Sequence, residues 1–220
     1  ESRSLMSTEF STIEKNVLTL WSTPLYVSSV PGCNLFVSDV NNSTWERTSG
    51  NDGYVTKETF LLDKPQFQNL KKDIEMHINL FVSEIAQFKN VDFYITNSWA
   101  IKHNKGDSAT KHFHSNCIFS GIVYLQCNND SGEIIFHKNP RHNTLHPESF
   151  LFDINEFNNF NSATQNILPQ QEQILLFPSH VEHSVTASNS DKERIAIAFN
   201  TFFKGKIGTA TKDLSALEIK

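Results

Sequence analysis

The sequence predicts a mainly β chain, a sandwich or jelly roll with a single flanking helix. Three observations predict it. Beyond Asn90 the apolar residues fall into short runs with a period of two, as in strands buried on one face. Clusters of Asn, Asp, Ser and Gly at 128–132 and 188–191 separate those runs, and short strands joined by such turns build sandwiches and jelly rolls. One segment, after Pro65, instead spaces its apolar residues by three and four.

Taken in chain order, the first ten or so residues are polar and aperiodic and read as a loose end. Residues 21–30 alternate weakly and read as an extended segment interrupted by Pro24 and followed by Pro31. Residues 38–53, rich in Asn, Ser, Thr and Gly, read as loop. The helix follows Pro65, which sits where a missing N–H costs little. Its stripe is Phe67, Leu70, Ile74, Ile78, Phe81, Ile85 and Phe88, and it should pack on the outside of a sheet. Strands are expected over 93–101, 118–127, 133–137, 173–177, 181–186 and 194–203. Residues 138–172 form a long insertion dense in Asn, Gln and Phe, a length that often serves as a lid or binding loop. The last fifteen residues read as a second loose end.

Composition sets the outer bounds. The 220 residues suit one domain, 1–220, with a core over about 14–203. Hydrophobic content is modest at 38%, but 18 phenylalanines can fill a barrel-like core with few residues. A net charge of -5 without Lys/Arg blocks gives no electrostatic reason for nucleic-acid binding. Three cysteines, Cys33, Cys117 and Cys127, argue against a disulfide framework and for a reducing compartment. No run approaches the length of a membrane span, and the N-terminus lacks a signal-peptide core, so a cytoplasmic protein is expected. Exposed sheet edges in such a fold make a homodimer an open expectation.

The chemistry sits in the second half. His112 and His114 flank Phe113 just before a strand run, and on a strand residues i and i+2 share a face. His183 lies on a distant run, and a third imidazole can close one face of a metal's coordination sphere while leaving the opposite face open. Oxygen-activating non-haem iron sites use such an open face, usually with two His and one carboxylate. Arg194 opens the most apolar run, 194–203, and a guanidinium fork suits a carboxylate.

These residues resemble, in order and spacing, the iron(II)- and 2-oxoglutarate-dependent oxygenases found in marine bacteria and their phages. The resemblance covers roughly 18–203. It rests on Leu20-Trp21-Ser22-Thr23-Pro24-Leu25-Tyr26, Asn97-Ser98-Trp99-Ala100, Gly106, His112-x-His114 and Ser120-Gly121-x-x-Tyr124. It continues through Phe177-Pro178-Ser179-x-x-x-His183-x-Val185 and Arg194-x-x-x-Ala198-Phe199-Asn200. It implies a double-stranded β-helix of the jelly-roll or cupin-like kind, with iron(II) at one mouth held by His112, His114 and His183. It implies 2-oxoglutarate as cosubstrate, its far carboxylate on Arg194 with Tyr124 assisting, and Asn200 as a weaker contact. The reaction implied is hydroxylation of a small molecule or peptide with release of succinate and carbon dioxide. Two positions depart from the broader superfamily: His114 stands where a carboxylate ligand is usual, and Glu172 where a turn Gly is expected.

Plainer readings stand beside these. Arg194 can be an exposed strand residue paired with Asp191 or Glu193, and Tyr124 an ordinary core aromatic. Two other His-x-acid pairs, His146-Pro147-Glu148 and His180-Val181-Glu182, imitate a ligand motif, although His180 and His183 face opposite ways on a strand. His77 lies on the helix and reads as structural, while His103, His137 and His142 have no evident partner. Cys117 alone does not make a zinc site. Trp99 and Asn97 share a face and read as structural or substrate-lining. Two further functions fit the same residues: a three-His iron dioxygenase of the thiol-dioxygenase kind, working without 2-oxoglutarate, and a non-catalytic metal- or ligand-binding β-sandwich.

Overall fold

The computed structural model describes residues 22–49, 52–139, 145, 152–208 and 216–220. Its first strand, β1, is Tyr26–Ser29, followed by a short helix α1, Val37–Asn41. Strands β2, Trp45–Arg47, and β3, Tyr54–Thr56, form a hairpin ahead of the long helix α2, Gln68–Leu80. Next come β4, Val91–His103, β5, Ala109–His112, β6, Phe119–Gln126, and β7, Ile134–His137. The chain finishes with β8, Thr164–Ile167, β9, Gln173–Pro178, β10, His183–Val185, β11, Arg194–Ile207, and β12, Leu217–Ile219.

Two antiparallel sheets result. The large one runs β1-β9-β6-β11-β4-β3-β2, with β12 paired to the far end of β11. The small one runs β5-β10-β7-β8. Strand parity divides the apolar residues between two cores. On β11, Ile195, Ile197 and Phe199 join the core that also holds Leu70, Ile74, Ile78 and Phe81 from the α2 region. On the same strand Ala196 belongs to the second core, with Ile122, Tyr124, Leu175 and Phe177 from the large sheet and Ile134 and Phe136 from the small one. The helix therefore covers the outside of the large sheet, and the space between the sheets holds the second core.

The α2 stripe holds as far as Phe81, and Ile85 and Phe88 then stand half exposed. At Phe81–Ala86 the chain widens into a π turn, which carries more residues per turn and rotates the stripe out of phase. Gln87, in the left-handed region at φ 52, then ends the helix. His77 is structural: it is buried, and its Nδ1 lies 2.8 Å from the Tyr26 hydroxyl.

Several local expectations need correction. Residues 38–53 are not all loop, because α1 and β2 occupy part of them. The C-terminal end is not wholly loose: β12 pairs with Gly205, Lys206 and Ile207. The insertion contributes β8, which pairs with β7, while the N-terminal end and residues 140–144 and 146–151, where a lid was expected, lie outside the described residues. Glu172 adopts the left-handed conformation, φ 66, that calls for Gly. Its carboxylate accepts from the Gly32 backbone N–H at 2.8 Å, so a side chain glycine lacks ties the end of β1 to β9. Among the described residues, no helix is long and apolar enough to cross a membrane.

Gly121 on β6 is the tightest point of the outer core. A Cβ there would collide with Phe199 Cζ and meet the Leu175 carbonyl oxygen at 2.8 Å. Backbone cannot yield as a side-chain tip can, so Gly121→Ala should lower unfolding free energy by about 1–3 kcal/mol. A urea unfolding curve reads this directly; an unchanged midpoint would show that the strands separate more easily than the packing indicates.

Candidate metal centre

His112 ends β5 and sits directly opposite His183 on β10. Opposed residues of an antiparallel pair share a face, and the two ring centroids lie 4.4 Å apart. His114 lies just beyond the end of β5, not on it, so strand parity does not place it. Its backbone N–H donates to the Ser179 carbonyl at 3.0 Å, and its ring stacks on Trp99 at 5.9 Å. The His114 ring centroid stands 5.4 Å from that of His112 and 5.2 Å from that of His183. One ligand nitrogen from each ring lies within 4.8 Å of the others, and this is the metal-competent cluster among the described residues.

Hydrogen bonds set the tautomers. Nδ1 of His112 meets the Thr110 carbonyl at 2.7 Å, and Nδ1 of His183 meets the Val181 carbonyl at 3.0 Å. A carbonyl only accepts, so each Nδ1 carries the proton and each Nε2 keeps its lone pair. Nδ1 of His114 meets Asn200 Oδ1 at 2.6 Å, with the same consequence. Burial disfavours the charged forms: it pulls His183 down to about 3, with the neighbouring imidazoles adding to the effect. Burial likewise lowers His114, with His112 adding to the effect and the Asn200 bond partly opposing it. Phe177 stands edge-on to His183 at 4.9 Å and shields it from water.

Arg194 opens β11 on the same inner face as Ala196, opposite His103 on β4. It is 2% exposed, its Nη1 finds no hydrogen-bond partner, and its guanidinium lies 5.0 Å over the Tyr124 ring. The exposed-strand reading of Arg194 fails: Asp191 pairs with Lys105 and Glu193 with Lys102 instead. Tyr124 is fully buried and its hydroxyl is also without a partner. Burial raises that phenol, so it stays a protonated donor. A buried cation and a buried hydroxyl left unpaired side by side are costly unless a ligand completes them. Ala196 and Ala198, both small, line the face of β11 between Arg194 and Asn200, a run of about 20 Å at a strand's rise per residue.

Asn200, expected as a weaker cosubstrate contact, has its Oδ1 2.6 Å from His114 Nδ1 and accepting from the Ser120 hydroxyl at 2.7 Å. His180 is exposed and stands outside the cluster, and His146 and His142 lie outside the described residues. Cys117 contacts Ser120 Oγ at 3.8 Å and is no ligand of this cluster, and all three cysteines are free. The sequence reading missed His103, Ser120 and Ser179. Parity could have found His103, which continues the Asn97–Trp99 face of β4 to a point opposite Arg194. Ser120 and Ser179 carry no pattern of their own beyond the motifs that contain them.

Residues 97–200, the segment holding every residue of this cluster, match the family described as "Putative 2OG-Fe(II) oxygenase". Solved structures share the fold. One is an oxidoreductase of the 2OG-Fe(II) oxygenase family from Burkholderia pseudomallei, 14% identical, TM-score 0.55, with 80% of this chain and 83% of that one covered. HygX from Streptomyces hygroscopicus, with nickel and 2-oxoglutarate bound, is 12% identical at TM-score 0.55, over 81% and 82%. A Pseudomonas putida prolyl-4-hydroxylase is 10% identical at TM-score 0.56, over 83% and 92%. No curated protein matches the chain in sequence. The family model and these neighbours are of 2OG-Fe(II) oxygenases, and the chain shares their double-stranded β-helix fold.

His103 gives this region a pH signature. It is 2% exposed, and burial, reinforced by the Arg194 charge, lowers it to about 4. Its pKa is thus lower folded than unfolded, so the unfolded chain takes up the proton first. The stability it contributes is present above about pH 6.5, the unfolded His value, and is lost as pH falls through about 4. The urea midpoint of the metal-free protein should fall across that window, and His103→Gln should flatten part of the slope. Parallel slopes in the two proteins would mean that His103 titrates alike folded and unfolded.

Proposed function

We propose that the chain is an iron(II)- and 2-oxoglutarate-dependent dioxygenase whose metal ligands are His112, His114 and His183. Arg194 and Tyr124 receive the far carboxylate of the cosubstrate. The observation that carries this reading is the buried Arg194, unpaired beside an unpaired Tyr124 hydroxyl on the face that leads to three convergent imidazoles. The donor set fits the metal: three neutral nitrogens, their other ring N–H groups already committed, suit a borderline divalent cation. When bound, iron(II) and 2-oxoglutarate supply the oxidising chemistry, in which dioxygen is consumed, succinate and carbon dioxide are released and one oxygen atom enters the substrate.

The chain's own residues prepare that site. His112, His114 and His183 occupy one face and leave the other for ligand exchange. The guanidinium of Arg194 neutralises a carboxylate through a planar two-donor fork, and the Tyr124 O–H can donate a further bond. Ile122, Phe136 and Phe177 keep the inner surface dry, which strengthens both contacts. The substrate is a small molecule or a peptide. The prolyl-4-hydroxylase and the HygX complex with hygromycin B show what this fold accommodates in other proteins, and Phe113, exposed between two of the three imidazoles, offers an apolar contact at the mouth.

Two experiments test the reading. His112→Ala or His183→Ala should abolish binding of about one iron per chain, whereas His114→Asp should retain it by restoring the commoner carboxylate face; full metal content in the double His→Ala variant would refute the ligand set. Titration of 2-oxoglutarate into anaerobic iron-loaded protein should raise a charge-transfer absorption. Arg194→Ala should weaken that titration by about two to four decades, the equivalent of the roughly 3–5 kcal/mol that follows from leaving one member of a desolvated charge pair alone. Arg194→Lys should recover only part. No response in the wild type, with iron bound, would favour the thiol-dioxygenase reading that three imidazoles without a carboxylate also fit.

A further inference from the structure

We propose that Asn200 is a positioning residue for the metal centre, acting through His114. The inference rests on the metal reading above and concerns why the third imidazole points where it does. His112 and His183 each satisfy Nδ1 locally, on the carbonyl two residues earlier, Thr110 on β5 and Val181 in the turn before β10. His114 lies past the end of β5 and makes no such bond. Its acceptor comes instead from a residue far along the chain, Asn200 on β11, at 2.6 Å.

That acceptor is itself held. The Ser120 hydroxyl donates to Asn200 Oδ1 at 2.7 Å, and Ser120 Oγ lies 2.8 Å from Ser179 Oγ. All three residues are buried. The result is a chain of hydroxyls ending on an amide oxygen that has two donors aimed at it. Orientation decides the outcome. With Oδ1 toward His114, the ring proton sits on Nδ1 and Nε2 is a free ligand. With the amide reversed, an N–H would face Nδ1, the proton would move to Nε2, and the ligand atom would be blocked. Ser120 favours the first arrangement by donating to the same oxygen. Ser179 closes a loop in this network, because its backbone carbonyl accepts from the His114 N–H at 3.0 Å. One end of the relay therefore fixes the backbone of His114 and the other fixes its ring.

Cobalt(II) affinity by chelator competition, with the cobalt ligand-field spectrum and the His114 ring-nitrogen NMR pattern of the metal-free protein, tests the proposal. Asn200→Ala should weaken cobalt(II) binding by about 10–100-fold, as loss of a partner behind a metal ligand does, and should give His114 a mixed tautomer pattern. Asn200→Asp keeps an oxygen acceptor and should retain most of the affinity and the single tautomer. Thr96→Ala is the structural control: it removes the hydroxyl that donates to the Asn200 backbone carbonyl at 3.2 Å without touching Oδ1, and should leave affinity unchanged. Wild-type affinity and tautomer in Asn200→Ala would overturn the proposal, as would an Asp variant no better than Ala, or a Thr96→Ala protein as weak as Asn200→Ala. A wild-type chain that binds no cobalt(II) would refute the metal centre itself, a separate failure.

Discussion

The site depends on one constraint: every imidazole of the cluster has its Nδ1–H committed to an oxygen. Two commitments are backbone carbonyls two residues back along the chain, and the third is a side-chain amide. A free imidazole exchanges its proton between two nitrogens and turns about its Cα–Cβ and Cβ–Cγ bonds. Once Nδ1 is bound, tautomer and ring plane are set together, and Nε2 has one direction left to point. Strand pairing then supplies the convergence. His112 and His183 are cross-strand partners, so their Cα atoms are placed by the ladder itself and need no loop to hold them.

Strand β11 joins this constraint to the stability of the whole. Its outward residues, Ile195, Ile197 and Phe199, lock the sheet to the region of α2, each worth roughly 1.5–3 kcal/mol on burial. Its inward residues are Arg194, two alanines and Asn200. A strand gripped so firmly on one face can carry a buried cation on the other, because the cost of that cation is spread over a core that does not yield. The pairing with β4 and β6 on either side removes both edges over the length that matters. Gly121 belongs to the same arrangement: its missing side chain lets Phe199 reach across β6.

What was legible in the sequence follows from these contacts. The apolar period located the long strands and α2, because burial on one face leaves a repeating mark. It placed β4, β6, β9 and β11 within a few residues of their ends. Strands β2, β3, β8 and β12 escaped it, being three or four residues long and mostly edge or partly exposed, so tertiary pairing rather than pattern creates them. His112, His183 and Arg194 could be read because their positions on strands tie them to a face. His114 was singled out by its spacing from His112, yet what orients it is Asn200, a contact across 86 positions that no local pattern reveals. His103 shares the Asn97–Trp99 face by parity, but its importance comes from standing opposite Arg194, which only the strand pairing shows.

The replacement of a carboxylate by His114 changes the charge of the proposed centre more than its geometry. All three ligands are neutral, and so are the groups behind them: two backbone carbonyls, an amide and two hydroxyls. Nothing in this shell offsets a divalent cation. A few residues away along the same face lies Arg194, also uncompensated by any acid among the described ion pairs. In a low-dielectric interior such positive charge demands an anion, and the demand exceeds that of a site with a carboxylate ligand. A dianionic cosubstrate held by the proposed centre and by Arg194 would meet most of it. The depressed values of His114 and His183 belong to the same balance, since imidazoles that resist protonation stay available to a cation in a site already short of negative charge. With the site read as proposed, the strength of cosubstrate binding and the retention of metal would therefore be coupled through electrostatics, even where no atom is shared.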